Sequence, residues 1–366
     1  MDPDEQWMAQ AVALAERGRH TVSPNPLVGC VLVRGGEVVG QGWHERAGGP
    51  HAEIAALAEA GDAAQGATAY VTLEPCAHTG RTGPCADALV AAGVTRVVVA
   101  LADPNPVAQG GAERLRAAGV EVVFGVREGA ARVQNEVFLH WVRTGRPFVT
   151  VKSAVSVDGR IAAADGTSQW LTGPEARAAA HALRAEADAI LSGSGTVLAD
   201  DPALTVRLPE YAGAQPLRVV LDGRARTTPD RQVMDDAAPT LVAVREDAAP
   251  GAVDKLRDAG AEVVTLPAGG AQGVDLAALL DVLGARDVRS VLVEGGAAVA
   301  TAFLAAGLWD RLVVHVAGLL LGDGGRPFVV GDGITTLAEA PRLRLEAVRA
   351  AGDDVLLTYR PAARET

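Results

Sequence analysis

His51-Ala52-Glu53 at the head of an apolar helical run, Glu74-Pro75-Cys76 after a strand, and Pro84-Cys85 nine positions further on form the stretch from which the rest of the chain is read. One imidazole and two thiolates complete three corners of a tetrahedral zinc site and leave the fourth open to water. Zinc in such a site lowers the pKa of its water toward neutrality. Glu53, two residues after the histidine, is placed to shuttle that water's protons. Cys76 is expected near a helix N-terminus, where the dipole favours thiolate. His-x-Glu and Pro-Cys are each weak signals, but in this order and in these helix and strand contexts they are strong. A closed structural site would need a fourth ligand, for which His78 is the candidate, and it would leave Glu53 without a purpose. A disulfide is the competing use of Cys76 and Cys85.

An open zinc site with an unligated glutamate is the arrangement of hydrolytic deaminases. The common pattern there is Pro-Cys-x-x-Cys, whereas eight residues separate Cys76 from Cys85, and the insert holds His78 and Arg81. Such an insert suits a polar or phosphorylated substrate.

The bounds agree. A chain of 366 residues with 49% hydrophobic content accommodates two globular α/β domains. A formal charge of −12 argues against a broad nucleic-acid surface. The acidic start Met1-Asp2-Pro3-Asp4-Glu5 has no apolar segment after it, so no secretory signal is expected. No apolar run is long enough to span a bilayer. A cytoplasmic protein is expected, and metal binding is then a better use of the cysteine pair than a disulfide. Cys30 lies in a buried-strand pattern and reads as core.

Along the chain, apolar spacing predicts helices at 5–18, 51–60, 86–92, 112–118 and 128–142. Strands are predicted around Cys30, after a hairpin turn at Arg34–Glu37, and at 68–73, 94–101 and 120–124. This alternation predicts a mainly parallel sheet covered by helices. Thr144-Gly145-Arg146-Pro147 marks a boundary between domains at 1–145 and 147–366. A second alternating series starts at Phe148. It includes strands near 189–191, 217–221, 240–244, 262–266, 290–293, 312–316 and 355–359, and helices at 174–186, 274–284 and 297–306. Leu208–Gln215 reads as a surface loop.

Asn25-Pro26-x-Val28-Gly29-Cys30, Gly49-Pro50-His51-Ala52-Glu53, Thr72-Leu73-Glu74-Pro75-Cys76-x-His78-x-Gly80-Arg81-Thr82-x-Pro84-Cys85 and Asp103-Pro104-Asn105-Pro106 resemble the bifunctional deaminase–reductase family of riboflavin biosynthesis. The resemblance continues through Lys152-Ser153-Ala154-x-Ser156-x-Asp158-Gly159-Arg160, Ser168-Gln169-Trp170, the run from Thr196 to Arg207 and Val293-Glu294-Gly295-Gly296. It implies a cytidine-deaminase-like three-layer domain acting on a diaminopyrimidinone ribosylamine phosphate, with substrate contacts from Asn25, His44, His78 and Arg81. It further implies a dihydrofolate-reductase-like α/β domain using NADPH. Ala154, Trp170, Thr196, Asp200, Gly296, Ala297, Ala298, Val299, Ala300, Thr301 and Ala302 are implied as cofactor contacts. Ser168, Arg184, Leu204, Arg207 and Glu294 are implied as substrate contacts. Gly223 departs from the serine many members carry.

Read from the residues alone, the second half says less. It has no Gly-x-Gly-x-x-Gly, but Ser192–Thr196 and Glu294–Ala297 are short glycine turns between strands and helices that suit phosphate. Arg184 and Arg207 offer forked donors to a phosphate. Of the 33 basic residues only Lys152 and Lys255 are lysines. A lysine kept at 152 points to an ammonium whose pKa can move, so Lys152 and Asp200 are the candidate proton donors of a reduction at C1′. A lysine paired with a nearby aspartate is the bland alternative. The partners expected are a phosphorylated pyrimidine and further copies of the chain, with no nucleic acid and no membrane. The competing readings are a zinc-dependent nucleotide or nucleic-acid deaminase with a C-terminal binding module, and a non-enzymatic zinc-stabilised binding protein.

Overall fold

The computed structural model describes residues 2–78, 83–209, 211–270, 273–331 and 334–362. The chain divides into two compact units, Met1–Gly145 and Arg146–Thr366.

In the first unit the elements are α1 (Pro3–Ala15), β1 (Gly29–Arg34), β2 (Glu37–Trp43), α2 (Ala52–Ala60), β3 (Thr68–Leu73), α3 (Cys85–Ala91), β4 (Arg96–Leu101), α4 (Gly111–Ala117), β5 (Glu121–Phe124), α5 (Glu128–Gln134) and α6 (Glu136–Thr144). The sheet order is β2-β1-β3-β4-β5. Side chains alternate across each strand, and the alternation splits the core in two. Cys30, Leu32, Val71, Val97 and Val99 pack under α2, α3 and α4 through Ala52, Ala56, Ala86, Leu89 and Leu115. Val31, Val33, Tyr70 and Val98 pack on the other face with Met8, Ala11, Ala131 and Phe138 from α1, α5 and α6. This is the three-layer arrangement expected.

Two expectations need correction. The sheet is parallel only from β3 to β5. β1 runs antiparallel to both β2 and β3, because the hairpin reverses the chain and the crossover through α2 then steps over β1. The helix expected from 128 to 142 is broken at Asn135, whose φ is −104°. The buried Asn135 side chain leaves the helical pattern to accept the Leu27 N–H at 2.8 Å and donate to the Leu27 carbonyl at 2.9 Å. It thereby pins the loop that leads into β1.

The second unit runs β6 (Phe148–Ser156), β7 (Arg160–Ala162), α7 (Pro174–Ala185), β8 (Ala189–Gly193), α8 (Ser194–Asp200), β9 (Leu217–Leu221), β10 (Thr240–Arg245), α9 (Pro250–Asp258), β11 (Glu262–Leu266), β12 (Ala268–Gly269), β13 (Gly273–Val274), α10 (Leu276–Gly284), β14 (Ser290–Val293), α11 (Ala297–Ala305), β15 (Arg311–Ala317), β16 (Arg326–Pro327), β17 (Leu343–Ala351) and β18 (Asp354–Pro361). Nine strands form one sheet in the order β11-β10-β9-β8-β14-β6-β15-β18-β17, with β12-β13 and β16-β7 as two small pairs. The large sheet is parallel up to β15, and β18 and β17 add antiparallel. α10 and α11 cover one face through Leu279, Leu283, Ala300 and Phe303. On the other face α8 and α9 cover Ile190, Val220 and Val242. α8 is the helix expected after the Ser192–Thr196 turn, and the edge strand β17 was not foreseen.

Replacing Asn135 by alanine leaves the Leu27 N–H and carbonyl unpaired in the interior. A cost of about 2–4 kcal/mol is expected, read as a lower urea midpoint for the first unit's transition by tryptophan fluorescence.

Candidate active sites

His51 caps the N-terminus of α2, Glu53 lies in its first turn, and Cys85 opens α3. Cys76 follows β3 in a loop held from both sides. The Glu74 carboxylate accepts the Asp103 N–H at 3.4 Å and the Ala112 N–H at 3.0 Å, tying the strand end to α4. Gly111 must lack a side chain there, because a Cβ would stand 1.7 Å from the Pro75 carbonyl oxygen.

These anchors bring three ligand atoms within 4.8 Å of one another. His51 Nδ1 is 3.2 Å from Cys85 Sγ and 3.7 Å from Cys76 Sγ, and the Cys85 N–H points at Cys76 Sγ at 3.4 Å. The two sulfurs titrate as a pair. The Cys85 thiol, together with His51 and the Cys85 amide, pulls Cys76 down to about 4. Its bond to Cys76 and its own burial hold Cys85 well above the usual thiol range. His51 is raised by its bond to Cys76. A divalent cation relieves this conflict by taking both sulfurs as thiolates. The donor set, soft sulfur with imidazole, fits zinc. Glu53 is 3% exposed, and burial raises its carboxyl above the ordinary value.

Of the residues expected to hold the pyrimidine, Asn25 and His44 meet: Asn25 Nδ2 lies 3.0 Å from His44 Nε2, while His44 Nδ1 faces the Pro50 carbonyl at 2.9 Å. Burial keeps His44 below its usual pKa, so one ring nitrogen donates and the other accepts. His44 in turn stands edge-on to His51, with ring centroids 5.6 Å apart. His78 Nδ1 is buried without a hydrogen-bond partner among the described residues. Arg81 lies outside the described residues. Asp103 was passed over as a functional residue. It is 6% exposed, and burial pushes it to about 6 beside Glu74 and Cys76. Its signal was the Asp-Pro-Asn-Pro motif.

In the second unit the implied residues gather at the carboxyl ends of β6, β8 and β14, where open α/β sheets bind ligands. Arg184 grips Glu294 through Nε at 2.9 Å and Nη2 at 2.5 Å, and its Nη1 donates to the Thr205 carbonyl at 3.0 Å. Burial alone would raise Glu294, but Arg184 and Lys152 overcome it and hold the carboxylate below its ordinary range. Glu294 Oε1 is buried with no partner among the described residues. Lys152 is lowered chiefly by burial, with Arg184 adding and Glu294 opposing. Among the described residues no aspartate pairs with it. Asp200 is raised by burial and feels Arg326, not Lys152, so the two candidate proton donors do not form one charge-coupled pair. Arg207 donates its N–H to His181 Nδ1 at 3.2 Å and its Nη1 to Thr205 Oγ1 at 3.2 Å. Leu204 turns its side chain into the core and can offer a ligand only its backbone.

The two glycine turns meet, since the Gly296 N–H donates to Thr196 Oγ1 at 3.1 Å. A Cβ on Gly295 would stand 2.6 Å from Val299, so the turn packs closely against α11. Ala154 and Ser168 are half-buried, and Trp170 is exposed with the Arg177 guanidinium 4.9 Å from its ring centre. The run Gly296–Ala302 cannot all face one ligand, because a helix turns every 3.6 residues. Ala300 enters the core, Ala298 and Ala302 are exposed, and Thr301 Oγ1 accepts the Val330 N–H at 2.9 Å. His315 on β15 was missed. It is 1% exposed with neither ring nitrogen hydrogen-bonded to a described side chain, and in the register of β6 and β15 it shares a face with Lys152.

Fold and site together define a two-domain enzyme, a zinc-dependent deaminase followed by a reductase. Residues 1–101 match the family of the cytidine and deoxycytidylate deaminase zinc-binding region, and residues 147–357 match the RibD C-terminal domain. The chain is 46% identical to the riboflavin biosynthesis protein RibD of Escherichia coli, covering 97% of this chain and 98% of that one. It matches the structure of Acinetobacter baumannii RibD with a TM-score of 0.90 at 41% identity, over 98% of this chain and 99% of that chain. For a Thermotoga maritima diaminohydroxyphosphoribosylaminopyrimidine deaminase/5-amino-6-(5-phosphoribosylamino)uracil reductase the TM-score is 0.86 at 35% identity, with the same coverage. The chain belongs to the RibD family: it is a bifunctional deaminase and reductase of riboflavin biosynthesis, with a zinc-binding deaminase domain and a reductase domain that uses NADPH. No described helix is long and apolar enough to cross a membrane.

Because Cys85 is held well above its ordinary value by Cys76 and by burial, zinc uptake near pH 7 expels the proton of its thiol. Affinity is expected to rise with pH, with proton release seen by an indicator dye on adding zinc to the stripped protein. Cys85→Ser is expected to lose the metal, as checked by elemental analysis.

Proposed function

We propose that residues 1–145 deaminate a diaminohydroxyphosphoribosylaminopyrimidine and that residues 147–366 reduce the ribosyl group of the resulting 5-amino-6-(5-phosphoribosylamino)uracil to ribityl, as the name of the Thermotoga maritima structure describes for that protein. The observation that carries the reading is the convergence of His51, Cys76 and Cys85 beside the buried Glu53.

His51, Cys76 and Cys85 would hold zinc, which would supply an acidified water as nucleophile. Glu53 moves the protons. With its pKa raised by burial, the carboxylate would carry two protons in turn, the first from the water to the ring nitrogen and the second from the resulting hydroxyl to the amino group that leaves as ammonia. His44, fixed in one tautomer by the Pro50 carbonyl, orients the Asn25 amide through Nε2, and Asn25 presents its remaining amide hydrogen and oxygen to the ring while His44 lines the pocket. His78 and Arg81 reach the substrate from the cysteine loop.

In the reductase NADPH would supply hydride, contacted by Ala154, Trp170, Thr196, Asp200 and the part of Gly296–Ala302 that faces away from the core, which leaves out Ala300. The half-buried Gly295–Gly296 turn at the head of α11 suits its phosphates. Arg184 and Arg207 face the substrate phosphate, and Ser168, the Leu204 backbone and Glu294 complete the contacts. Opening the ribosyl ring needs a proton, and Lys152 is its source. Its ammonium is partly desolvated and forms no ion pair among the described residues, so the proton is easier to give up. Asp200 acts separately, from the cofactor side.

A cytoplasmic setting is supported by three free cysteines and a phosphorylated substrate. A homo-oligomer is supported by the edge strand β17, where Leu343, Leu345 and Val348 are 40%, 50% and 60% exposed.

Glu53→Gln is expected to retain zinc but slow ammonia release by about 100-fold or more, while NADPH oxidation with supplied deaminated substrate continues. Lys152→Ala is expected to reverse this pattern. Unchanged NADPH oxidation in Lys152→Ala removes lysine from the role.

A further inference from the structure

Among the described residues no helix or strand lies between α8 and β9, yet this stretch carries two of the substrate contacts proposed above, the Leu204 backbone and Arg207. A segment with no ladder of its own must find other partners for its backbone groups. At Thr205–Arg207 side chains supply them. The Thr205 carbonyl accepts from Arg184 Nη1 at 3.0 Å. Gln215 closes on Val206 with both ends of its amide: Oε1 accepts the Val206 N–H at 2.8 Å, and Nε2 donates to the Val206 carbonyl at 3.1 Å. The Arg207 N–H donates to His181 Nδ1 at 3.2 Å. Leu204 and Val206, 1% and 5% exposed, anchor the same segment in the core. Leu204 has a φ of +48°, which a leucine keeps only where its surroundings impose it.

His181 lies three residues before Arg184 on α7, a spacing that puts both on one helix face. Because Nδ1 accepts the Arg207 N–H, the neutral ring carries its proton on Nε2. Its surroundings keep it neutral. Burial, then Arg184 on its own helix and Arg207 on the loop, with Lys152 from β6, press it down to about 4, and Glu294 opposes them. Neutrality matters twice over. A protonated ring would turn a donor toward the Arg207 N–H, and it would add a further cation to Arg184, Arg207 and Lys152.

Arg207 Nη1 is tied to Thr205 Oγ1 at 3.2 Å, and its other guanidinium N–H groups have no hydrogen-bond partner among the described residues. With its backbone pinned by His181 and its neighbour Val206 by Gln215, that guanidinium is ordered when the chain folds. Ordering done at folding does not have to be done again on binding, which is the gain of preorganisation.

We propose that His181 and Gln215 are positioning residues of the reductase: they fix the Thr205–Arg207 backbone so that the Arg207 guanidinium meets the substrate's phosphate already in place. They act on phosphate capture and not on hydride transfer. The inference rests on the reading that Arg207 faces that phosphate.

The test is steady-state reduction by the full zinc-loaded chain at saturating NADPH, with the deaminated substrate and with the same compound lacking its phosphate. His181→Ala is expected to raise KM for the phosphorylated substrate about fivefold and Gln215→Ala about tenfold. In both, kcat and the KM of the dephosphorylated compound stay unchanged. His181→Asn, whose Oδ1 can accept the Arg207 N–H, is expected to recover most of the loss. NADPH titration by nicotinamide fluorescence checks that each variant keeps its fold. In the unaltered protein at neutral pH, ¹⁵N spectra are expected to show the His181 proton on Nε2, and this signature with His181→Asn decides if an alanine variant fails to fold. An equal rise in KM for both substrates, a fall in kcat instead, asparagine as poor as alanine, or a proton on Nδ1 overturns the inference and leaves the reading of Arg207 standing. An unaltered chain with the same KM for both substrates overturns the two together.

Discussion

A charge taken out of water must be met by the protein, and that constraint fixes where the chemistry sits in each half. In the first unit the negative charge is carried by Cys76 and shared with Cys85 and His51. In the second it is Glu294, held by both arms of Arg184. Both lie just past the ends of parallel strands, where backbone groups leave the ladder and turn toward a ligand. Removing one partner of such a pair leaves a bare charge inside, at a cost of about 3–5 kcal/mol. The surrounding loops are therefore held to one arrangement even though they lack regular structure.

The two sites meet the constraint differently. The sulfur pair is compensated only in part, and its remaining conflict makes a site for a cation. Glu294 is compensated on one oxygen, while the other is buried and without a partner among the described residues. Around it Lys152, Arg184 and Arg207 leave an excess of positive charge. His181 does not add to it, because burial and then Arg184 and Arg207 press it down to about 4. This excess of positive charge suits the anionic substrate proposed for the second unit, as the sulfur pair suits a metal in the first.

Much of this was legible in the sequence, and the parts that were share one property. His51, Glu53, Cys76 and Cys85 lie in short motifs whose chemistry depends on residue type and local element, so the ligand set could be named before any contact was known. Strand and helix order was read from periodicity, which is also local. The rest depends on partners distant in sequence. Asn135 breaks a helix in order to bind Leu27, and no pattern in residues 128–142 records that. The direction of β1 follows from which strand the crossover reaches. His315 sits in an ordinary apolar strand, and its place beside Lys152 appears only in the register of two strands. Leu204 and Ala300 belong to the motif runs but turn inward, a distinction of side-chain direction that a consecutive run of letters cannot make.

The sulfur pair also bears on handling the protein. A thiolate at neutral pH beside a second cysteine is the configuration from which an oxidant makes a sulfenic acid that its neighbour then captures as a disulfide. Cys76 is such a thiolate and Cys85 the neighbour. With metal bound, both sulfurs are occupied. Once stripped, the same closeness that assembles the site turns against it, so the metal that enables the reaction also acts as a preservative for its own ligands.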